Sequence, residues 1–195
     1  MKEKAAPRAV NEKKTKAAEA AKKKESVWLS YTEAEKQELE RIAQGYRSFL
    51  TTCKTERESV VETVRQAEAA GYMELGTATR HGKKLPPGAK VYTVGMKKTV
   101  ALFHLGEAPL SGGLSLLGAH IDSCRLDLKQ NPLYEDGHLA FFDTHYYGGI
   151  KKYQWTCIPL ALIGVVFTKD GKKVDINIGL KDSDPVFYVS DLLIH

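Results

Sequence analysis

Cysteine is scarce in this sequence: the 195 residues include three, Cys53, Cys124 and Cys157. Their number is odd and they form no Cys-x-x-Cys pair, which argues against a disulfide framework and against a structural zinc knuckle. The basic start of the chain leads into no apolar core of the kind that a secretory signal needs. These features predict a reducing, cytoplasmic setting.

Long apolar runs are also missing. The longest, residues 157–167, has eleven residues and is too short to span a bilayer, so no membrane association is expected. The sequence contains no internal repeat and no His-Glu-x-x-His motif. Its 43% apolar and 27% charged residues are nevertheless typical of a globular protein that can bury a core.

Positive charge is concentrated at the beginning of the chain. Residues 1–26 contain nine Lys or Arg and four Asp or Glu, whereas residues 27–195 contain twenty of each. We interpret residues 1–27 as a basic disordered tail, and favour a solubilising role over contact with RNA or an acidic surface. Because the rest of the sequence is neutral, nucleic acid is not an expected partner.

Helical and strand patterns follow the tail and predict an α/β fold. Thr32 and Thr55 each begin a Thr-x-x-Glu capping box followed by apolar residues at helical spacing, and Gly71 is placed to end the second helix. Residues 131–149 are rich in glycine and aromatic residues and are interpreted as loop. The predicted strands are residues 90–94, 99–105, 114–120, 156–168, 174–178 and 186–189.

His120 and Asp122 form the sharpest candidate site, because they end the predicted buried strand 114–120. Open α/β sheets place their sites at the carboxyl ends of strands, and Asp122 could orient a metal-bound imidazole by accepting its second N–H. Taken alone, such a pair is more often purely structural, since a metal needs three or more ligands. Residues 145–149 (HYYGG) fit a pocket wall, a subunit contact or a glycine-permitted turn equally well.

Several segments, in a fixed order, resemble the aspartyl aminopeptidase family of zinc metallopeptidases, and most closely its bacterial branch. The resemblance runs from about residue 28 to the last residue. The segments that carry it are 54–58 (KTERE), 118–123 (GAHIDS), 125–129 (RLDLK), 131–136 (NPLYED), 144–155 (THYYGGIKKYQW), 184–187 (DPVF) and 191–195 (DLLIH).

The resemblance implies an α/β/α zinc-peptidase domain into which a mostly β dimerisation domain is inserted. Residues 28–133 would be the N-terminal part of the catalytic domain, and residues 134–195 the incomplete start of the inserted domain. The family removes N-terminal acidic residues, Asp or Glu, from peptides. It uses two adjacent Zn²⁺ ions and assembles into homo-oligomers, so acidic peptides and further copies of the chain are the expected partners.

Two residues take roles from the resemblance. His120 matches the first metal ligand, and Asp122 the catalytic carboxylate that supports it. Cys124 stands where the family usually has proline, and the remaining ligands and the glutamate base have no counterpart in this sequence. We therefore expect an N-terminal fragment that is inactive alone. The alternative is a non-catalytic assembly module that pairs with intact homologues through residues 146–155.

Overall fold

The computed structural model describes residues 26–192, which divide into two units between Arg47 and Ser48. Residues 1–25, and with them nearly all of the predicted tail, lie outside the described residues, as do residues 193–195. No helix among the described residues is long and apolar enough to cross a membrane.

Two long helices open the described chain, α1 at Glu33–Thr52 and α2 at Glu56–Ala69. The Thr55 hydroxyl accepts the Glu58 N–H, while the Glu58 carboxylate accepts the Thr55 N–H. Thr32 opens α1 through the same exchange of hydrogen bonds. Both predicted capping boxes are therefore confirmed, and each satisfies backbone N–H groups that the first helical turn leaves free.

Gly71 ends α2, as predicted. Its φ of 85° lies in the left-handed region, which a glycine enters without a Cβ penalty. The Gly71 N–H donates to the Glu68 carbonyl and the Tyr72 N–H to the Ala67 carbonyl. These two bonds make a Schellman motif, which satisfies carbonyls of the last helical turn.

A three-stranded sheet follows α2 and carries the core. It contains β1 at Met73–Glu74, β2 at Lys90–Gly95 and β3 at Thr99–His104, with the short helix α3 at Leu75–Ala78 after β1. β1 pairs with β2 in parallel and β2 with β3 in antiparallel register, which confirms the predicted strand pair. The buried apolar side chains among residues 26–192 come from α2 and β2: Val60, Ala67, Val91 and Tyr92.

A long antiparallel hairpin comes next, formed by β4 at Arg125–Asp136 and β5 at Leu139–Tyr147. The loop predicted for residues 131–149 is therefore wrong over most of its length. Gly137 and His138 both have positive φ, the geometry of a type I′ hairpin turn. The predicted domain boundary between residues 133 and 134 falls inside β4 and stays a prediction.

A second hairpin pairs β6 at Leu162–Phe167 with β7 at Lys173–Ile178, close to the predicted strands. Residues 186–189 form no ladder. They make isolated bridges instead, one between Val189 and Thr156 and one between Phe187 and Leu160.

The predicted strand at residues 114–120 is wrong. This segment has no regular secondary structure, and Leu116 and Leu117 are 85% and 97% exposed. A strand is stabilised by hydrogen bonds to a neighbour. Within residues 26–192, no sheet includes this segment, so its apolar run has no ladder to join.

Candidate functional site

His120 and Asp122 lie in contact, although neither belongs to a strand. The Nδ1 atom of His120 is 3.1 Å from Oδ1 of Asp122 and 3.1 Å from the Asp122 carbonyl oxygen. Asp122 follows His120 by two residues, so a short irregular segment is enough to bring the carboxylate back to the ring. The contact expected from the spacing of the two residues is present.

The partners of His120 determine which of its ring nitrogens is available. Both contacts of Nδ1 are acceptor oxygens, which favours the tautomer that has its proton on Nδ1 and its lone pair on Nε2. The side chain is 85% exposed. A histidine that donates one N–H to a carboxylate and presents its other nitrogen is the usual arrangement of a metal ligand. His120 therefore fits zinc as one ligand.

Tyr147, at the end of β5, also binds Asp122. Its hydroxyl donates to Oδ2 of Asp122 over 2.9 Å, which leaves Oδ1 for His120. The bond from Tyr147 is the largest cause that lowers the pKa of Asp122 from its usual value, and a bond from its own backbone N–H and the contact with His120 lower that pKa further. The same bond raises the pKa of Tyr147. Asp122 is therefore ionised over the neutral range and Tyr147 keeps its proton.

Arg125, the first residue of β4, holds the Tyr147 ring. Its guanidinium carbon lies 3.9 Å from the ring centroid. Its Nε donates to Asp127 over 2.7 Å and its Nη1 to Glu56 over 2.9 Å. Glu56 is the first residue of α2, so the arginine connects the start of that helix to the hairpin and, through Tyr147, to Asp122.

The structure brings four of the resembling segments together at this place, those at residues 54–58, 118–123, 125–129 and 144–155. It does not complete a metal centre, because no group of three or more His, Cys, Asp or Glu within residues 26–192 could hold an ion. The described residues therefore fit zinc through His120 alone.

A cleft of about 810 Å³ lies elsewhere, between α2 and the β6–β7 hairpin. Its lining includes Val61 and Val64 from the helix and Ile163 and Val165 from the hairpin. Neither His120 nor Asp122 lines it. The candidate metal-binding pair, His120 and Asp122, therefore lies outside this cleft, with the His120 side chain exposed.

Sequence reasoning missed the residues that support Asp122, namely Tyr147, Arg125 and Glu56. Tyr147 is part of the segments 144–155, 145–149 and 146–155, but the sequence assigns it no individual role. A partial signal is Gly137, because a glycine in the two-residue turn Gly137-His138 favours a hairpin at this point. It does not identify the partner of Arg125, because the β4–β5 register shifts between Leu128 and Leu133, and that shift places Tyr147 opposite Arg125.

Comparison with known proteins identifies relatives that align with most of the chain. Residues 49–195 match the family described as Aminopeptidase I zinc metalloprotease (M18). A probable M18 family aminopeptidase 1 from Clostridium acetobutylicum is 47% identical over 174 residues, and one from Thermotoga maritima is 45% identical over 160 residues. These alignments cover 89% and 82% of this chain, but 37% and 34% of the relatives.

Solved structures give the same picture. The crystal structure of aminopeptidase I from Borrelia burgdorferi matches with a TM-score of 0.78 and 40% identity, covering 86% of this chain and 40% of that one. The M18 aminopeptidase of Thermotoga maritima matches with a TM-score of 0.76 and 42% identity, over 88% and 36% of the two chains. The chain therefore has the fold of part of these proteins and spans about two fifths of their length or less.

Proposed function

The chain belongs to the Aminopeptidase I zinc metalloprotease (M18) family, and on this premise we propose that it is part of a metal-dependent aminopeptidase. The observation that carries the proposal is the contact of His120 with Asp122, which assigns the proton to Nδ1 and presents Nε2. That arrangement lies within the residues matched by the family. It supports a role in binding zinc, with His120 as the ligand and Asp122 as the carboxylate that orients it.

The chemistry proposed is hydrolysis of the first peptide bond of a substrate. A bound zinc ion would polarise the scissile carbonyl and activate the attacking water. In that reaction the described residues do the orienting. Asp122 holds the imidazole of His120 in one tautomer, and Tyr147 holds Asp122. The two-metal site, the remaining ligands and the general base belong to the proposal. Within residues 26–192, no group of three or more His, Cys, Asp or Glu could hold a metal ion.

We propose that the substrates are peptides with N-terminal Asp or Glu. The support is the set of segments that resemble aspartyl aminopeptidases, four of which meet around Asp122. A cytoplasmic location and assembly into homo-oligomers are proposed on the same resemblance.

We also propose that these 195 residues do not hydrolyse peptides by themselves. One imidazole cannot hold a catalytic zinc ion, which takes three protein ligands in characterised sites. The alternative, a non-catalytic assembly module that pairs with intact homologues, is supported by the exposure of Tyr146 and Tyr153 in the segment 146–155.

The test uses the native polypeptide that contains this sequence, purified from its source whatever its length. Release of Asp, Glu and Leu from matched N-terminal peptides is followed before chelation, after chelation and after zinc is returned. We expect metal-dependent release that is faster for Asp and Glu than for Leu. Metal-dependent release of Leu in preference would contradict the acidic specificity, and no metal-dependent release by a native polypeptide longer than these 195 residues would contradict the peptidase itself.

A matched variant sharpens this experiment. Asp122→Asn removes the charge that orients His120 but keeps the size of the side chain. Partners of this kind contribute about 10- to 100-fold to metal affinity or activity, so we expect a loss in that range. Asp175→Asn, on β7, is the control, because Asp175 contacts Lys173 and does not touch His120. Equal activity of the Asp122→Asn and Asp175→Asn variants would mean that Asp122 does not orient a metal ligand.

A further inference from the structure

Tyr147 connects the β4–β5 hairpin to His120, because its hydroxyl binds the Asp122 carboxylate that contacts the imidazole. We propose that Tyr147 is a positioning residue for the metal-ligand histidine, with Arg125 holding its ring. The inference rests on the proposed role of His120 and adds to it the element that sets the orientation of the imidazole. It assigns a role to a residue of the β4–β5 hairpin that the spacing of His120 and Asp122 does not reveal.

The segment that carries His120 has few contacts of its own. Residues 114–122 contain no helix or strand, and the side chain of His120 is mostly exposed. Within residues 26–192, the hydrogen bond from Tyr147 to Asp122 is the one side-chain hydrogen bond that links residues 114–122 to another element. The position of the Asp122 carboxylate, and with it that of the ring, therefore depends on the end of β5.

The hydroxyl of Tyr147 also selects between the two carboxylate oxygens. It donates to Oδ2, and Oδ1 is the atom that contacts Nδ1 of His120. A carboxylate held at one oxygen by a fixed donor cannot rotate freely about its last bond. The second oxygen is thereby directed at the imidazole, and Nδ1–H is the tautomer that this geometry favours.

The ring of Tyr147 is fixed by strand pairing. Arg125 and Tyr147 are direct partners in the β4–β5 register, so their side chains project from the same face of the hairpin. The guanidinium stacks on the ring and is itself held by Asp127 and Glu56. The carboxylates of Asp127 and Glu56 hold the guanidinium in one orientation, and the Tyr147 ring stacks against its flat face. The chain of contacts thus runs from the start of α2 to His120.

The experiment compares Tyr147→Phe with Tyr146→Phe in the metal-free 195-residue chain. Tyr147→Phe removes the donor and keeps the ring under Arg125. Tyr146 is the neighbouring tyrosine, and its ring contacts His145 and Lys152. The tautomer of His120 is read from its ring ¹⁵N shifts at alkaline pH, where the imidazole carries one proton. Zinc binding is then measured with the native polypeptide and the same two variants.

We expect the unchanged chain and Tyr146→Phe to show mainly the Nδ1–H form, and Tyr147→Phe to shift toward the Nε2–H form of a free imidazole. We expect weaker zinc binding in the native polypeptide for Tyr147→Phe alone. An unchanged tautomer in Tyr147→Phe overturns the inference, whatever the peptidase assay gives. Absence of peptidase activity in a native polypeptide longer than these 195 residues, beside a shifted tautomer in the 195-residue chain, would overturn the proposed function and leave the positioning contact in place.

A second measurement covers the case in which Tyr147→Phe does not fold. The ring ¹³Cζ shift of Tyr147 reports its hydroxyl contact, and Asp122→Asn replaces the acceptor without changing its shape. We expect that shift to change in Asp122→Asn and to stay the same in Asp175→Asn. An equal Cζ shift in both variants would mean that Tyr147 does not bind Asp122 in solution.

Discussion

Hydrogen-bond partners strongly influence the acidity of the described carboxylates. Asp122 owes its lowered pKa first to the Tyr147 hydroxyl, and Glu62 shows the same effect away from the site. Arg65 donates its Nε and Nη2 to the two oxygens of Glu62 over 2.7 and 2.6 Å, and Gln66 adds a third bond. These donors lower the pKa of Glu62 to about 2.

Replacing Arg65 by Gln should raise the pKa of Glu62 toward its ordinary value of 4.5, because the largest cause of the lowering is removed. The carboxyl ¹³C shift of Glu62 is followed by NMR through an acid titration. Arg41→Gln is the matched control: Arg41 makes the same paired contact with Glu38, so this variant should raise the pKa of Glu38 and leave Glu62 unchanged. Equal pKa values of Glu62 in all three proteins would contradict the assignment.

The Glu62–Arg65 pair also determines how the stability of the fold changes with pH. Since the folded pKa of Glu62 lies below its unfolded value, the contribution to stability is complete above about pH 4.5. It is lost as the pH falls from that value through about 2. Arg65→Gln should therefore lose less stability on acidification over this window than the unchanged chain.

Residue-scale prediction from sequence worked where partners are close in the chain. The contact of His120 with Asp122 spans two residues and could be inferred from spacing alone. The contact of Tyr147 with Asp122 spans 25 residues and depends on the register of β4 and β5. No local pattern encodes that register, so the support of the site could not be predicted with the site itself.

Element ends are the best-encoded part of this sequence, because the atoms that define them lie within one helical turn. Gly71→Ala should destabilise the chain by about 1 kcal/mol, since alanine is strained at the positive φ of this position. Gly45→Ala is the control, and its expected effect on stability has the opposite sign. Gly45 lies inside α1 with open space around a Cβ, so the exchange should stabilise by about 1 kcal/mol. Chemical denaturation followed by the helical circular dichroism signal checks both, and stabilisation by Gly71→Ala would contradict the cap.

Strands were predicted less well, because they depend on partners that the local sequence does not specify. Residues 90–94 and 99–105 were predicted correctly, since a short turn brings two compatible strands together. Residues 114–120 have a strand composition but no partner among the described residues. The glycine and aromatic content of residues 131–149 predicts a loop, although the turn at Gly137-His138 makes most of them part of a hairpin.

At the scale of the whole molecule, family membership was the inference that sequence supported best. The resemblance to aminopeptidases rests on ordered segments spread from residue 54 to residue 195, and the family match over residues 49–195 confirms it. The α/β class is confirmed as well. Ordered motifs survive a wrong assignment of one strand, because they identify the family without requiring each element to be placed correctly.

The apolar segment 114–117 sets the last prediction. Leu114, Leu116 and Leu117 are 73% exposed or more, whereas Val60 in the core is 3% exposed. An apolar surface of this kind binds hydrophobic dyes and promotes association. In the 195-residue chain, replacing Leu116 and Leu117 together by Ser should reduce binding of anilinonaphthalene sulfonate. It should leave the free energy of unfolding unchanged, because neither side chain is packed.

Val60→Ser is the control, because it removes a buried side chain and should lower the free energy of unfolding by about 2 kcal/mol or more. Dye fluorescence and urea denaturation are measured on the same samples, with sedimentation to detect association. A large loss of stability in the double leucine variant would mean that residues 114–120 are buried in solution. The segment would then form the covered strand that its composition predicts, and His120 would lie at the end of a sheet.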